Sequence, residues 1–355
     1  MRSVVMVLMA ALLVPAFAAL AAQEKPKDSS KKPAAKDDAK KAKDDGKKPK
    51  DDAKKADPKK DEKKEEQKEK KAEPKKKKKA EGKKPEEKKP EEKKPEPKLA
   101  DIPDKGLEAA LRTQVFDKRN NTQPLNEDDL KKVFILHGND KKIKNLKGLE
   151  KCTNLREIRL ARNEIADLTP LKELKDLQSL DLENNKIADI APLAGLTKLQ
   201  YLQLSKNQVA KIDALAGLTA MQSLYLADNK IKDIGPLVKL TKLASLDLDG
   251  NEIADIRPLA SIPRLMTLGL SRNQISDISP ICKHPPTQYL LLEHNKITDL
   301  EPLLAAAKKD AAGDQRFAPF LYLYLEGNPL SDAAKKQVET LKGLGMRVHL
   351  TRPKT

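Results

Sequence analysis

The chain has 355 residues, a formal net charge of +17, 35% charged residues, 3% aromatics and no Trp. That average hides three segments: an apolar start, a Lys/Asp/Glu/Pro/Ala stretch carrying 32 Lys against 21 acids over 24–98, and a remainder that holds nearly all other large apolar residues. The high pI therefore belongs mainly to the middle segment, which excludes reading the remainder as a strongly basic nucleic-acid binder.

Residues 1–22 read as a secretory signal peptide. Arg2 supplies the positive start, Val4 to Leu13 the apolar run, Pro15 the break, and Ala19-Leu20-Ala21 small residues for cleavage. An uncleaved membrane anchor is the alternative, the run being near the lower limit for spanning. Either way the rest of the chain is expected outside the cytoplasm: periplasmic, in the cell envelope or secreted.

Residues 23–98 form a Lys/Glu/Asp/Pro-rich basic tail with almost no large apolar residue, so nothing offsets the entropy of ordering and the segment is expected to be disordered. Two readings stay open: a solvated spacer, or an electrostatic tether to an anionic envelope polymer, a lipid surface or nucleic acid. It has no aromatic residue for base stacking, so specific nucleic-acid recognition is not expected.

Residues 99–145 predict a helical cap and an irregular first coil. Leu107, Ala110, Leu111 and Val115 recur at helical spacing behind Asp104 as N-cap, and Asn126 caps a second short helix with Leu130. Phe134, Leu136, Asn139 and Ile143 supply the first coil, with Asn139 standing 24 residues before Asn163.

Residues 146–330 are organised by one repeat. Asn163, Asn185, Asn207, Asn229, Asn251, Asn273 and Asn295 stand 22 residues apart, the signature of a solenoid. In Leu155 to Leu174, Ile158 and Leu160 alternate with Arg159 and Ala161, so a strand points the first pair inward. Asn163 bends the chain through its short amide. Ile165 and Leu168 return to the core, and Thr169-Pro170 starts a short helical turn with Thr169 as cap. One coil cannot bury its apolar edge alone; stacked coils bury it against each other, with their strands in a parallel sheet. The third coil carries Lys211 and Ala214 in place of the usual Asp and Pro, with Asp213 as the substitute cap. Asn328 follows Asn295 by 33 residues, and the extra residues, Leu303 to Pro319, lengthen a helix on the convex side. Residues 331–355 form a C-terminal cap: a helix over Ser331 to Leu344, Gly345 as its stop, and a last strand over Met346 to Leu350.

The pattern L-x-x-L-x-L-x-x-N-x-I-x-D-I-x-P-L resembles the bacterial internalin-type leucine-rich repeat. A similar repeat occurs in the leucine-rich regulatory subunits of protein phosphatases. Asp167, Asp189, Asp233, Asp255, Asp277 and Asp299 fit its Asp column, and Pro170, Pro192, Pro236, Pro258, Pro280 and Pro302 its Pro column. The segment after Ile102-Pro103-Asp104 resembles the helical cap that precedes internalin-type repeats. The resemblance, over roughly residues 100 to 350, implies an α/β solenoid: a leucine-rich repeat horseshoe with a parallel concave sheet, short 3-10 or helical convex turns, and helical caps. It implies a non-catalytic protein-binding class.

The residues point to no catalytic constellation, metal set or cofactor. No pair among His137, His284, His294 and His349 has metal-ligand spacing. Asp247 to Asn251 looks like a calcium loop only superficially, since it lacks the later acids and its Leu248 and Asn251 belong to the repeat core. Cys152 and Cys282 lie about six coils, on the order of 30 Å, apart, beyond disulfide reach.

The informative feature is the concave face. All 5 Tyr fall on outward strand positions. Tyr combines large contact area with few rotors and a polar tip, which suits a binding surface. The candidate protein-binding residues are Tyr201, Tyr225, Tyr289, Leu291, Tyr322 and Tyr324, with Asp181 and Asp247. The expected chain is an exported monomer that binds a protein partner through this face. The alternative is an envelope-attached structural scaffold tethered by its basic tail to anionic polymers.

Overall fold

The computed structural model describes residues 98–351. The expected signal peptide, and the basic tail up to residue 97, lie outside the described residues.

Ten three-residue strands form one parallel sheet in simple chain order: Ile135–His137 (β1), Glu157–Arg159 (β2), Ser179–Asp181 (β3), Tyr201–Gln203 (β4), Ser223–Tyr225 (β5), Ser245–Asp247 (β6), Thr267–Gly269 (β7), Tyr289–Leu291 (β8), Tyr322–Tyr324 (β9) and Arg347–His349 (β10). The middle residue of each strand from Leu136 to Leu323 is fully buried, and Val348 packs against the same core. Burying each such leucine contributes about 1.5–3 kcal/mol, so the stacked columns dominate the stability.

The asparagine column clips neighbouring coils together. Asn229 donates from Nδ2 to the carbonyls of Leu226 in its own coil and Leu204 in the coil before, each at 3.0 Å, and its Oδ1 accepts from Val209 N at 2.9 Å. The same pattern recurs at Asn185, Asn207, Asn251, Asn273 and Asn295. A tight buried turn leaves backbone groups that water cannot reach, and the amide satisfies three of them at once.

On the opposite side the chain makes short 3-10 turns, with proline near the start of each except Leu149–Lys151 and Asp213–Leu215. The aspartate column organises their entry. Asp167 Oδ1 accepts from Thr169 N at 2.8 Å, and Asp189, Asp233, Asp255 and Asp277 repeat that bond two residues on. This corrects the expected cap: Thr169 is inside the turn and its side chain caps nothing, because the carboxylate two residues earlier already holds the free N–H. Asp213 likewise opens its turn without a side-chain cap.

The first coil also differs from expectation. β1 pairs with β2 as Leu136↔Ile158, on the ordinary 22-residue period. The column position of Asn163 is therefore Lys141, and Asn139 instead accepts from Ala161 N at 2.8 Å. Within this coil Phe134 is exposed, while Val133 is buried.

Both ends are covered. Helix α1 (Lys105–Gln114) buries Leu107, Ala110 and Leu111, and its N-cap Asp104 accepts from Leu107 N at 3.0 Å. The other oxygen of Asp104 accepts from Lys144 N and Asn145 N at 2.8 and 3.1 Å, which ties the cap to the first coil. Helix α2 (Glu127–Lys131) is closed by a capping box between Asn126 and Asp129. Helix α3 (Glu301–Ala311) stands where the other coils make 3-10 turns, which accounts for the longer spacing before β9. Helix α4 (Asp332–Gly343) is capped by Ser331, and Gly345 at φ +97 turns the chain into β10.

Candidate protein-binding face

Alternation along a strand sends its first and third residues out of the sheet. The register sets two rows across the open face. The first runs Ile135, Glu157, Ser179, Tyr201, Ser223, Ser245, Thr267, Tyr289, Tyr322, Arg347; the second runs His137, Arg159, Asp181, Gln203, Tyr225, Asp247, Gly269, Leu291, Tyr324, His349. All 5 Tyr of the chain stand in these rows.

Over β8 to β10 the aromatic side chains form a stack. Tyr289 and Tyr322 lie at 5.0 Å between centroids with planes 21° apart, and Tyr324 and His349 at 4.6 Å and 15°. The Arg347 guanidinium sits 4.7 Å from the Tyr322 ring centre. Tyr289, Leu291, Tyr322, Tyr324 and His349 are half-buried and Arg347 is exposed. Stacking and the cation–π contact restrict the rings before any partner arrives, so little rotamer entropy is left to lose on binding. Arg347 and His349 escaped the sequence reading because β10 follows β9 by 25 residues rather than 22. The alternation from Met346 to Leu350 was the signal that pointed to them.

At the centre of the sheet the expectation needs correcting. Tyr225 is 1% exposed and Asp247 3%, so neither stands free on the surface. The Tyr225 ring packs against Tyr201, 5.6 Å between centroids. Asp247 is covered because the next residue in its row, Gly269, has no side chain. The carboxylates of Asp247 and Asp249 both lean into that space, each with Oδ1 2.8 Å from where a Cβ would stand. Tyr201 and Asp181 remain half-buried on the face.

Burial sets the electrostatics here. It pushes the Asp247 carboxyl up to about 6; the Asp249 N–H, bonded to Oδ1 at 3.0 Å, and the Arg272 charge oppose the rise, while Asp228 adds to it. Burial and the neighbouring Asp247 charge also raise Asp249. Burial raises Asp181 and the hydroxyl of Tyr201. Elsewhere on this side carboxylates are paired: Glu157 with Arg159 at 2.7 Å and Glu183 with Lys206 at 2.6 Å. Neither Asp181 nor Asp247 forms an ion pair with a described residue.

Among the described residues, three buried side-chain atoms have no hydrogen-bond partner: Gln203 Nε2, Tyr225 Oη and His349 Nε2. All three belong to the second row. Gln203 Oε1 is occupied by Ser205 N at 2.7 Å. Tyr225 Oη lies beside Ser223 and Ser245 without the geometry of a bond to either. Among the described residues no group of three or more His, Cys, Asp or Glu is placed to hold a metal ion. Cys152 is buried and Cys282 half-buried, both as thiols that burial pushes up to about 12.

The sequence matches the family model of leucine-rich repeats (2 copies) over residues 175–217 and 219–261. No match was found among curated proteins. Among solved structures, internalin C2 of Listeria monocytogenes is 30% identical, with 70% of this chain and 94% of that chain covered and a TM-score of 0.54. The functional domain of InlJ from Listeria monocytogenes, at 22% identity, 67% and 53% coverage and a TM-score of 0.51, shares the fold. So does a leucine-rich-repeat protein of Leptospira interrogans, at 20% identity, 58% and 57% coverage and a TM-score of 0.50. The repeat, the parallel sheet with its 3-10 turns, and the similarity to internalin C2 along nearly its whole length together establish that the chain belongs to the internalin-type leucine-rich-repeat family.

Proposed function

We propose that the chain is an exported, non-catalytic binding module that engages a protein partner through the open face of its sheet. The observation that carries this reading is the stack of Tyr289, Tyr322, Tyr324 and His349 with Arg347, half-exposed, on an otherwise aromatic-poor chain. Isolated surface aromatics are ordinary; Tyr289, Tyr322 and Tyr324, gathered on adjoining strands of one face, are a patch with the chemistry of interaction hot spots. The fold supplies a rigid display surface, and family membership supports a protein-interaction role. Export rests on the apolar start of the sequence and on the kinship with internalin C2. Among the described residues no helix is long and apolar enough to cross a membrane.

A second reading has its own support. The surplus of 32 Lys over 21 acids in residues 24–98 suits a tether to anionic envelope polymer or lipid, with the solenoid as a scaffold. Binding of the full chain to envelope fractions at low and high salt separates the two. Binding that survives high salt and falls with Tyr322→Ala or Tyr324→Ala supports the open face as a receptor site. Binding that vanishes in salt and ignores both substitutions supports the tether.

A further inference from the structure

We propose that the middle of the open face takes an extended, basic segment of the protein partner, with two Lys or Arg side chains four residues apart seated at Asp181 and Asp247. This rests on the reading of the open face as a protein-binding surface and names the chemistry of what binds there.

The register places Asp181, Gln203, Tyr225 and Asp247 side by side on β3 to β6. Neither aspartate, Asp181 half-buried and Asp247 3% exposed, has a cation at ion-pair distance among the described residues; Arg159 and Arg162 act on Asp181 and Arg272 on Asp247 only from further off, whereas Glu157, Glu183 and Asp228 nearby are each paired directly. A carboxylate withdrawn from water without a counter-charge is unfavourable, and an incoming ammonium or guanidinium removes that penalty. Between the two aspartates lie Gln203 Nε2 and Tyr225 Oη, both buried and both without a partner. Buried polar atoms in native proteins are nearly always satisfied, so this stretch is one whose polar complement the described chain does not itself supply. Tyr201, half-buried beside Gln203, adds a ring at which an aliphatic stem or a cation is held favourably.

The spacing selects the ligand. Three strand steps separate Asp181 from Asp247, about 14 Å at ~4.8 Å per step. An extended peptide rises ~3.4 Å per residue and sends alternate side chains to the same side, so residues i and i+4 are also about 14 Å apart and face the same way. Residue i+2 then lies over Gln203 and Tyr225. A pair at i, i+3 puts its second side chain on the far side of the peptide. An anionic polymer would meet the unpaired carboxylates and be repelled.

The test uses the full chain and short labelled peptides of neutral polar residues, read by fluorescence anisotropy at low ionic strength. One peptide carries Lys at i and i+4 and a second at i and i+3. The first should bind. The i, i+3 peptide should bind about fivefold more weakly than the first, the size of one partly desolvated ion pair. Asp181→Asn and Asp247→Asn keep the oxygens that accept from Glu183 N and Asp249 N, so the sheet holds. Each should cost the i, i+4 peptide about fivefold in affinity, while Glu339→Gln on α4 should cost nothing. Equal affinity for the two Lys spacings, or indifference to both aspartate substitutions, overturns the proposal. If the Lys peptides fail while Tyr322→Ala still weakens envelope binding in high salt, this inference falls and the protein-binding reading stands; if the tyrosine substitution is silent too, both fall.

Discussion

Asp228 and Arg272 stand two coils apart and still form an ion pair at 2.8 Å. They meet because the residue between them in the column is Gly250. A Cβ there would collide with Asp228 Oδ1 and lie 2.9 Å from both terminal guanidinium nitrogens of Arg272. The left-handed backbone does not by itself demand glycine, since Arg162, Lys206, Asp228 and Arg272 adopt φ of 57, 59, 54 and 57 in the same column. The space does. Gly250→Ala should therefore separate the pair and lower stability by about 1–2 kcal/mol in urea unfolding, as overpacking does. Gly217→Ala, whose nearest atom is 3.9 Å away, should leave the midpoint unchanged.

The asparagine clip can be tested in the centre of the stack. Asn229→Ala removes the bonds its amide donates to the carbonyls of Leu204, Leu226 and Ala227 and leaves Val209 N without its acceptor in the core, while the Leu204 and Leu226 carbonyls keep only the amides of Asn207 and Asn251. The loss should be about 3 kcal/mol or more. Coils couple only to their neighbours, so hydrogen exchange should quicken first around residues 204–231. Uniform exchange along the whole solenoid would contradict the nearest-neighbour picture.

Two aspartates should give opposite pH dependences. Burial raises Asp247 to about 6 from an ordinary value of 3.8, with Asp249, Asp228 and Arg272 facing it. The folded state then holds more protons than the unfolded one between those values, so this group makes stability fall as pH rises from about 4 to about 6 and stay lower above it. Asp247→Asn should flatten that slope and raise the melting temperature at pH 7. For Asp104, partial burial works toward a higher value, but the N–H groups of Lys144, Leu107 and Asn145 outweigh it and hold the carboxyl below its ordinary value. Its contribution is present above the unfolded pKa and is lost as pH falls through the folded one. Asp104→Asn should thus cost stability at pH 7 and progressively less in acid.

The tyrosine stack should matter to binding and little to folding. Tyr322 and Tyr324 are half-buried, with Leu323 between them holding the core. Tyr322→Ala and Tyr324→Ala should each weaken a partner of the open face by about tenfold or more, in the range of interface hot spots. Circular dichroism should show both variants fully folded.

Much of this was legible in the sequence because a solenoid repeats one local solution. Each coil faces the same neighbours, so the period of Asn163 to Asn295, the Asp and Pro columns and the inward leucines could be read without coordinates. The capping roles of Asp104 and Asn126, the lengthened helix before β9 and the last strand were legible too, since each follows from short-range spacing. The first coil was misread where one local cue misled: Asn139 looks like a column asparagine, and only the pairing of Leu136 with Ile158 places Lys141 there. What lies on the open face was decided by tertiary structure. Alternation marks Tyr225 and Asp247 as outward, yet both are buried, Tyr225 against Tyr201 and Asp247 over the bare Gly269. These contacts join residues 22 or more positions apart, and exposure depends on the size of a neighbour that lies next to them only once the coils are stacked.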